Sequence, residues 1–511
     1  MKPLAVVTVL AAIPFAAASV RRPGKWIVGQ TVHTTSGPVD GHAASVASQV
    51  SEYLGIPYAQ PPVGRLRFQP PVRYNGTQRI SGDSFGPACM PSNTSAYDAE
   101  FPPSLVEEYG ITDTGLRLLA SITDPGIRVS EDCLTLNIWT KPQSGERKKA
   151  VMVYIHGGTF VSGSSAIRAY NGQFFADQED VVLVTINYRV TIFGFPGNPL
   201  GAQNPGLLDQ RMAIEWVRDN IASFGGDPSR ITLFGESAGG ASVDDYSYAW
   251  PHDPIVHGLI PMSGTARGIG AVRTREIASE FWFNASAASG CGDANTPAQE
   301  VYDCMVQLPA EDIIRTLTNT VDSPYPMPYS PTIDNEIVFA SDANRSAARV
   351  PMMIGITDNE TGLFRLFVDR GLTDEFWELE NQRTFNCPAA ARASASVRDG
   401  NPTWRYRWHG VFPNTIISTR PPSGAYHYSE VELLFGTTDQ STIPNTRQQD
   451  AIGRYMRGAW AAFAKDPVRG LLRYRGGWPR YVPDRKTLVR IGYENRTGPN
   501  LAMGTLYDSG C

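Results

Sequence analysis

Ile231-Thr232-Leu233-Phe234-Gly235-Glu236-Ser237-Ala238-Gly239-Gly240 is the stretch that decides the fold. A short β-branched and apolar run enters a Gly-x-Ser-x-Gly turn, and small residues able to start a helix follow it. A serine in such a sharp strand-to-helix turn is lifted above the sheet edge, and side chains at 235 or 239 would clash with the neighbouring strand or helix. Upstream, Leu134–Trp139, Val151–Ile155 and Val181–Asn187 are further short strand-like runs. Between the last of these and the turn, residues 208–224 place Met212, Ile214, Val217, Ile221 and Phe224 at helical spacing, with Gly225, Gly226 and Pro228 as the stop. Residues 26–34 and 47–56 alternate weakly and are read as early strands. Strands that alternate with helices predict an α/β architecture with a large, mainly parallel sheet covered by helices on both faces. Ligands of such sheets sit beyond the carboxyl ends of the strands, where Ser237 falls.

A second loop matches this placement. Val153-Tyr154-Ile155 ends at His156-Gly157-Gly158-Thr159-Phe160. Small residues there let backbone N–H groups approach a substrate carbonyl and converge where negative charge develops. His156 reads as a brace for this loop, since a base would follow the nucleophile in the chain. When a serine nucleophile sits on such an elbow, its partners follow in the order acid, then histidine. His252 and His257 come too soon after Ser237 to leave room for an acid, and His409 lies against a strand-like run, Trp404–Trp408. His427 follows the turn-like Pro421-Pro422-Ser423-Gly424 and is the candidate base. The acid should follow a strand, and Pro351–Gly355 opens into Thr357-Asp358-Asn359-Glu360; residue chemistry alone leaves Asp358 and Glu360 equal.

The bulk numbers exclude other classes. A 511-residue chain with 42% hydrophobic and 19% charged residues can bury a large core. A net charge of −5 and a pI of 5.9 give no reason to expect a nucleic-acid partner. The seven histidines show no metal-ligand spacing, so neither metal nor cofactor is expected. Met1-Lys2, an apolar run from Leu4 to Phe15 and Ala16-Ala17-Ala18-Ser19 predict a secretory signal peptide over residues 1–19. No later run approaches the ~18 apolar residues of a membrane span, so a secreted protein with one domain over residues 20–511 is expected. Arg21-Arg22 reads as surface charge or a dibasic processing site. Six cysteines and sequons at Asn75, Asn93, Asn284, Asn344 and Asn495 fit an oxidising, extracellular route. A further sequon match, Asn359, abuts the acid candidates and is expected to be buried and bare.

Beyond these single features, the chain resembles the type-B carboxylesterase/lipase family, which includes cholinesterases, fungal lipases and secreted fungal carboxylesterases. The resemblance spans about residue 28 to 511. It rests on Tyr53-Leu54-Gly55-Ile56-Pro57-Tyr58-Ala59, Glu131-Asp132-Cys133-Leu134-Thr135-Leu136-Asn137-Ile138, Gly225-Gly226-Asp227-Pro228 and the block Gly235–Gly240. It implies an α/β-hydrolase fold and a carboxylic ester hydrolase that acts on small-molecule esters through an acyl-enzyme intermediate. Thr357-Asp358-Asn359-Glu360-Thr361 departs at three positions from the family's Asn-x-Asp-Glu-Gly but aligns Glu360 with the catalytic glutamate. His427-Tyr428-Ser429-Glu430 matches the family's His-x-x-Glu. The implied oxyanion donors are Gly158, Thr159 and Ala238, with Thr159 standing where the family has a third glycine.

The resemblance also implies that Cys89 pairs with Cys133, closing a loop over the site, and that Cys291 pairs with Cys304; Cys387 and Cys511 are then left for each other. The Cys89–Cys133 loop carries Tyr97, Phe101 and Tyr109 but no Trp, which argues against a cholinesterase. That loop reads equally as a lipase-like flap or a surface excursion. A lipase acting on long-chain acylglycerols or sterol esters, a non-catalytic binding protein and acyl transfer to a natural-product acceptor remain as alternatives.

Overall fold

The computed structural model describes residues 26–91, 103–123, 126–141, 148–268, 272–317, 329–341, 345–367, 371–439 and 442–511. The expected signal peptide, Arg21-Arg22, Asn93, Tyr97, Phe101 and Asn344 lie outside them.

Among the described residues, the strands in chain order are β1 Val32–Thr34, β2 Gly37–Val39, β3 His42–Ala43, β4 Ser51–Pro57, β5 Thr135–Thr140, β6 Lys149–Ile155, β7 Val182–Ile186, β8 Gly226–Glu236, β9 Gly258–Met262, β10 Met352–Thr357, β11 Thr403–Trp408 and β12 Leu488–Ile491. Ten of them form one sheet in the order β12-β11-β10-β9-β8-β6-β7-β5-β4-β3. The pairs from β7 through β12 are parallel, whereas β3, β4 and β5 join antiparallel at one edge. The early run at 26–34 is corrected: only Val32–Thr34 is a strand, and it pairs with β2 in a separate ribbon. Gly226 and Pro228, expected to end the preceding helix, instead begin β8.

The central strands show why the sequence reads as near-continuous apolar runs. On β6, Val151, Val153 and Ile155 enter one core layer, while Ala150, Met152 and Tyr154 enter the other. Successive side chains point to opposite faces, so a strand covered on both sides needs apolar residues at every position. The helix Pro205–Asn220 covers the first face with Leu207, Ile214, Trp216 and Val217. Pro205 suits its first turn, where an N–H would lack a partner. A 3₁₀ turn, Ile221–Phe224, extends it until Gly225 takes φ 84° and ends it. The helix Arg447–Lys465 covers the second face with Ile452, Met456, Trp460 and Phe463. It starts in a capping box in which Thr446 Oγ1 accepts from Gln449 N–H at 3.0 Å and Gln449 Oε1 accepts from Thr446 N–H at 3.3 Å.

Disulfides join Cys89 to Cys133, Cys291 to Cys304 and Cys387 to Cys511, as the resemblance and the remainder anticipated. Arg67 holds the neck of the first loop through a two-pronged bond to Glu131, at 2.7 Å on each prong. Asn75, Asn284 and Asn495 are exposed. Asn359 is half-buried rather than buried, and its amide donates to Ser423 O at 2.9 Å.

One buried ion pair locks the segment after β7 to the covering helix. Arg189 donates Nε and Nη2 to Asp209 at 2.8 and 2.7 Å, and its backbone N–H donates to the same carboxylate at 3.0 Å. Asp209 is fully buried and Arg189 nearly so. Removing one partner leaves the other charge uncompensated in the core, which costs ~3–5 kcal/mol. Asp209→Ala should therefore lose stability of that order, read as a lower urea midpoint and a shorter half-life on heating.

Candidate active site

Ser237 sits between β8 and the helix Ala238–Ala249, with φ 59° and ψ −123°. That conformation is unfavourable for a residue with a Cβ and persists only where its surroundings hold it. Ser237 N–H donates to Met262 O at 2.9 Å, and its carbonyl accepts from Ala241 N–H at 2.9 Å. The glycines around it are required by contact. A Cβ at Gly239 would lie 2.0 Å from Ile155 O, and one at Gly235 would lie 2.6 Å from the backbone of Gly239.

The loop after β6 crosses in front of this turn, and a Cβ at Gly157 would come within 3.0 Å of Ser237 Cβ. Gly158, Thr159 and Phe160 follow with φ of 104°, 53° and 62°. A β-branched residue in that region is strained, so Thr159 keeps the loop shape that a glycine would adopt at no cost. The backbone N–H groups of Gly158, Thr159 and Ala238 have no partner among the described residues. Ala238 is free because it opens a helix. His156 takes the bracing position expected of it. Its ring stacks on Tyr188 at 4.4 Å, its Nδ1 lies 2.8 Å from Gly157 O, and burial pulls its pKa down to about 4.

His427 Nδ1 donates to Glu360 Oε2 at 2.6 Å, and Glu360 Oε1 accepts from Thr357 N–H at 2.7 Å. The backbone supports this pair, because His427 N–H donates to Glu360 O at 3.3 Å and Asn359 N–H to Ala425 O at 2.9 Å. Glu360 is fully buried, and the rings of Phe364 and Phe385 lie 4.8 and 5.2 Å from the imidazole. Asp358, the other acid candidate, turns away. It accepts from Arg407 Nε at 2.6 Å and stands 3.4 Å from His409 Nδ1. Burial would raise Asp358, but His409 and Arg407 outweigh it and hold the carboxyl at about 2. Neither Asp358 nor His409 lines the cavity that holds Ser237.

That cavity brings Ser237, His427, Glu236 and the Gly157–Thr159 loop together. Its apolar walls come from Leu363, Phe364 and Phe367, and from Leu119 and Ile122 on the helix Asp113–Thr123 of the Cys89–Cys133 loop. Ser237 Oγ and His427 Nε2 share no hydrogen bond, and Nε2 is buried without a partner. Glu236 Oε1 stands 3.1 Å from that nitrogen but is misaligned for a hydrogen bond. Among the described residues, no group of three or more His, Cys, Asp or Glu side chains is placed to hold a metal ion.

Two residues of the site carry roles that the sequence reading did not assign. Glu236 and Glu430 are both buried, and neither Glu430 oxygen has a partner. Burial raises Glu236 well above the carboxylate range, with the charges of Glu430 and Glu360 adding to it; burial and then Glu360 raise Glu430. Both sit inside the motifs already singled out, and a carboxylate in an otherwise apolar run is the signal that marks them. An acid raised on folding keeps a proton that the unfolded chain releases near 4.5, so stability falls as pH rises from there toward the raised value. Glu430→Gln should flatten that decline by up to one proton, ~1.4 kcal/mol per pH unit, measured as urea midpoints from pH 5 upward.

The carboxylesterase family model matches residues 29–376 and 369–505. The chain is 35% identical to a chlorogenic acid esterase of Aspergillus niger, over 88% of this chain and 85% of that protein. It is 32% identical to secreted lipase 5 of Gibberella zeae, over 98% and 97% of the two chains. Identity to an acetylcholinesterase of Bungarus fasciatus is 27%, over 90% and 82%. Among the described residues, no helix is long and apolar enough to cross a membrane. With its ten-stranded sheet and a buried serine on the strand-to-helix turn, the chain belongs to the carboxylesterase family and is a carboxylic ester hydrolase of the α/β-hydrolase fold.

Proposed function

We propose that this hydrolase works through a Ser237–His427–Glu360 triad and an acyl-enzyme intermediate. The observation that carries the reading is the 2.6 Å bond from His427 Nδ1 to the buried Glu360, with His427 and Ser237 lining one cavity. The bond fixes the tautomer, leaving Nε2 free to accept a proton. When an ester enters, Ser237 Oγ attacks its carbonyl and His427 Nε2 takes the hydroxyl proton. The Ser–His contact, open in the free enzyme, tightens in the substrate complex.

Charge that develops on the carbonyl oxygen falls to the unpartnered N–H groups of Gly158, Thr159 and Ala238. His427 then returns its proton to the departing alkoxide. A water deprotonated by the same nitrogen releases the acid and restores Ser237. Burial, with the charges of Glu430 and Glu360 adding to it, raises Glu236 beside Nε2 and favours its neutral form. No step calls for a cofactor. The apolar walls suit small-molecule esters, and secretion of a single domain spanning residues 20–511 after cleavage of residues 1–19 is part of the reading. The similarity to a secreted lipase supports an extracellular setting and keeps a lipase on long-chain esters as the second reading.

The test is a p-nitrophenyl ester series from acetate to palmitate on wild type, Ser237→Ala, Glu360→Gln and Asp358→Asn. Ser237→Ala should be inactive, and Glu360→Gln should lose about a thousandfold or more in kcat. Asp358→Asn should lose less than about tenfold, because Asp358 bonds Arg407 outside the cavity. Full activity of Ser237→Ala would overturn the triad. A rate maximum at long chains, rising above the solubility limit, would select the lipase. Amino-terminal sequencing of the protein from culture medium tests the cleavage after residue 19.

A further inference from the structure

Tyr428, the residue after His427, has φ 82°, in the left-handed region where a bulky side chain is strained and a glycine is not. Its ring is 6% exposed and edge-on to Tyr170 at 6.2 Å. Its hydroxyl is buried beside that of Tyr170. A second, small cavity, with room for about one water molecule, adjoins the substrate cavity, and the two share Tyr428 and Ile122 as lining residues. Leu118, Tyr426 and Leu433 line this small chamber together with the polar Thr415, Ser429 and Thr438. Glu432, also on its wall, accepts from Ser121 Oγ at 3.1 Å.

We propose that Tyr428, with Ile122 as the other residue shared by the two cavities, is the partition that limits the size of the alcohol group this esterase accepts. The inference rests on the triad reading, because that reading fixes which half of the ester faces Tyr428. His427 Nε2 must reach the departing alkoxide oxygen to protonate it, so the alcohol leaves on the side of the His427 loop, and Tyr428 is the next residue of that loop. The acyl group, held with its carbonyl toward Gly158, Thr159 and Ala238, lies away from the partition. A strained aromatic side chain there ends the alcohol subsite, and without it the space of the ring joins the subsite to the small chamber beside it.

The test compares kcat/KM for acetate esters of straight-chain alcohols, from ethyl to octyl, with kcat/KM for p-nitrophenyl esters of lengthening acyl chains. Tyr428→Gly should raise the octyl-to-ethyl ratio about tenfold or more, the scale on which apolar pockets discriminate chain length. Ile122→Ala should shift it in the same direction and decides the matter if Tyr428→Gly does not fold. Tyr428→Phe, which keeps the ring, should leave the ratio at the wild-type value, and the acyl profile should not move in any variant. An unmoved ratio in both enlarging variants, an equal shift in Tyr428→Phe, or a shift in the acyl series in place of the alcohol series would overturn the proposal. Ser237→Ala run alongside separates the two readings. If it stays active, the triad fails and this inference falls with it; if it is inactive and the ratio is unmoved, only the partition is wrong.

Discussion

A close backbone approach at the centre of the sheet is the one on which the site depends. The helix Ala238–Ala249 starts so near β6 that a single Cβ at Gly239 would lie 2.0 Å from Ile155 O. That contact puts the end of β8, the start of the helix and the loop after β6 in one place. It also explains the unusual backbone of Ser237, because a chain leaving a strand and entering a helix at that distance must turn within one residue. Met262 and Ala241 hold the turn through hydrogen bonds to the Ser237 backbone. The strain is therefore carried by the packing of neighbouring strands, which resist displacement as a unit.

Around His427 the governing constraint is electrostatic. Three buried glutamates, at 236, 360 and 430, share a small apolar volume with one imidazole. Like charges so close cannot all ionise, and burial adds to the penalty. The arrangement separates them by hydrogen bonding: Glu360 receives His427 Nδ1 and Thr357 N–H, whereas the side-chain oxygens of Glu430 receive nothing. Glu236 and Glu430 are accordingly raised, and Glu360 is the one that His427 Nδ1 meets.

Support for the site comes from elements far apart in the chain. The helix Asp113–Thr123, held within the Cys89–Cys133 loop, supplies Leu119 and Ile122 to the cavity wall, where they join Leu363, Phe364 and Phe367 that follow Glu360. Positive φ values recur along this rim, at Thr159, Phe160, Ser237 and Tyr428. Non-glycine residues keep such angles where side-chain position matters more than backbone comfort.

The sequence by itself determined the elements whose signals are local. The apolar runs of β5 to β8, the helix spacing before the elbow, Gly235, Ser237 and Gly239, and His427 after its turn could all be read from a few residues, because period and turn chemistry act over short range. Resemblance to a family, rather than spacing, separated Glu360 from Asp358 and paired Cys89 with Cys133. The tertiary structure alone decided which carboxyl turns toward His427, since both acids lie on one short loop and only the positions of Arg407 and His427 distinguish them. It alone revealed Glu236 and Glu430 as buried neighbours of that ring, the joining of Val32–Thr34 into a separate ribbon, and the two cavities on either side of Tyr428. Burial and cavity shape are sums over residues distant in sequence, so no local window of the chain contains them.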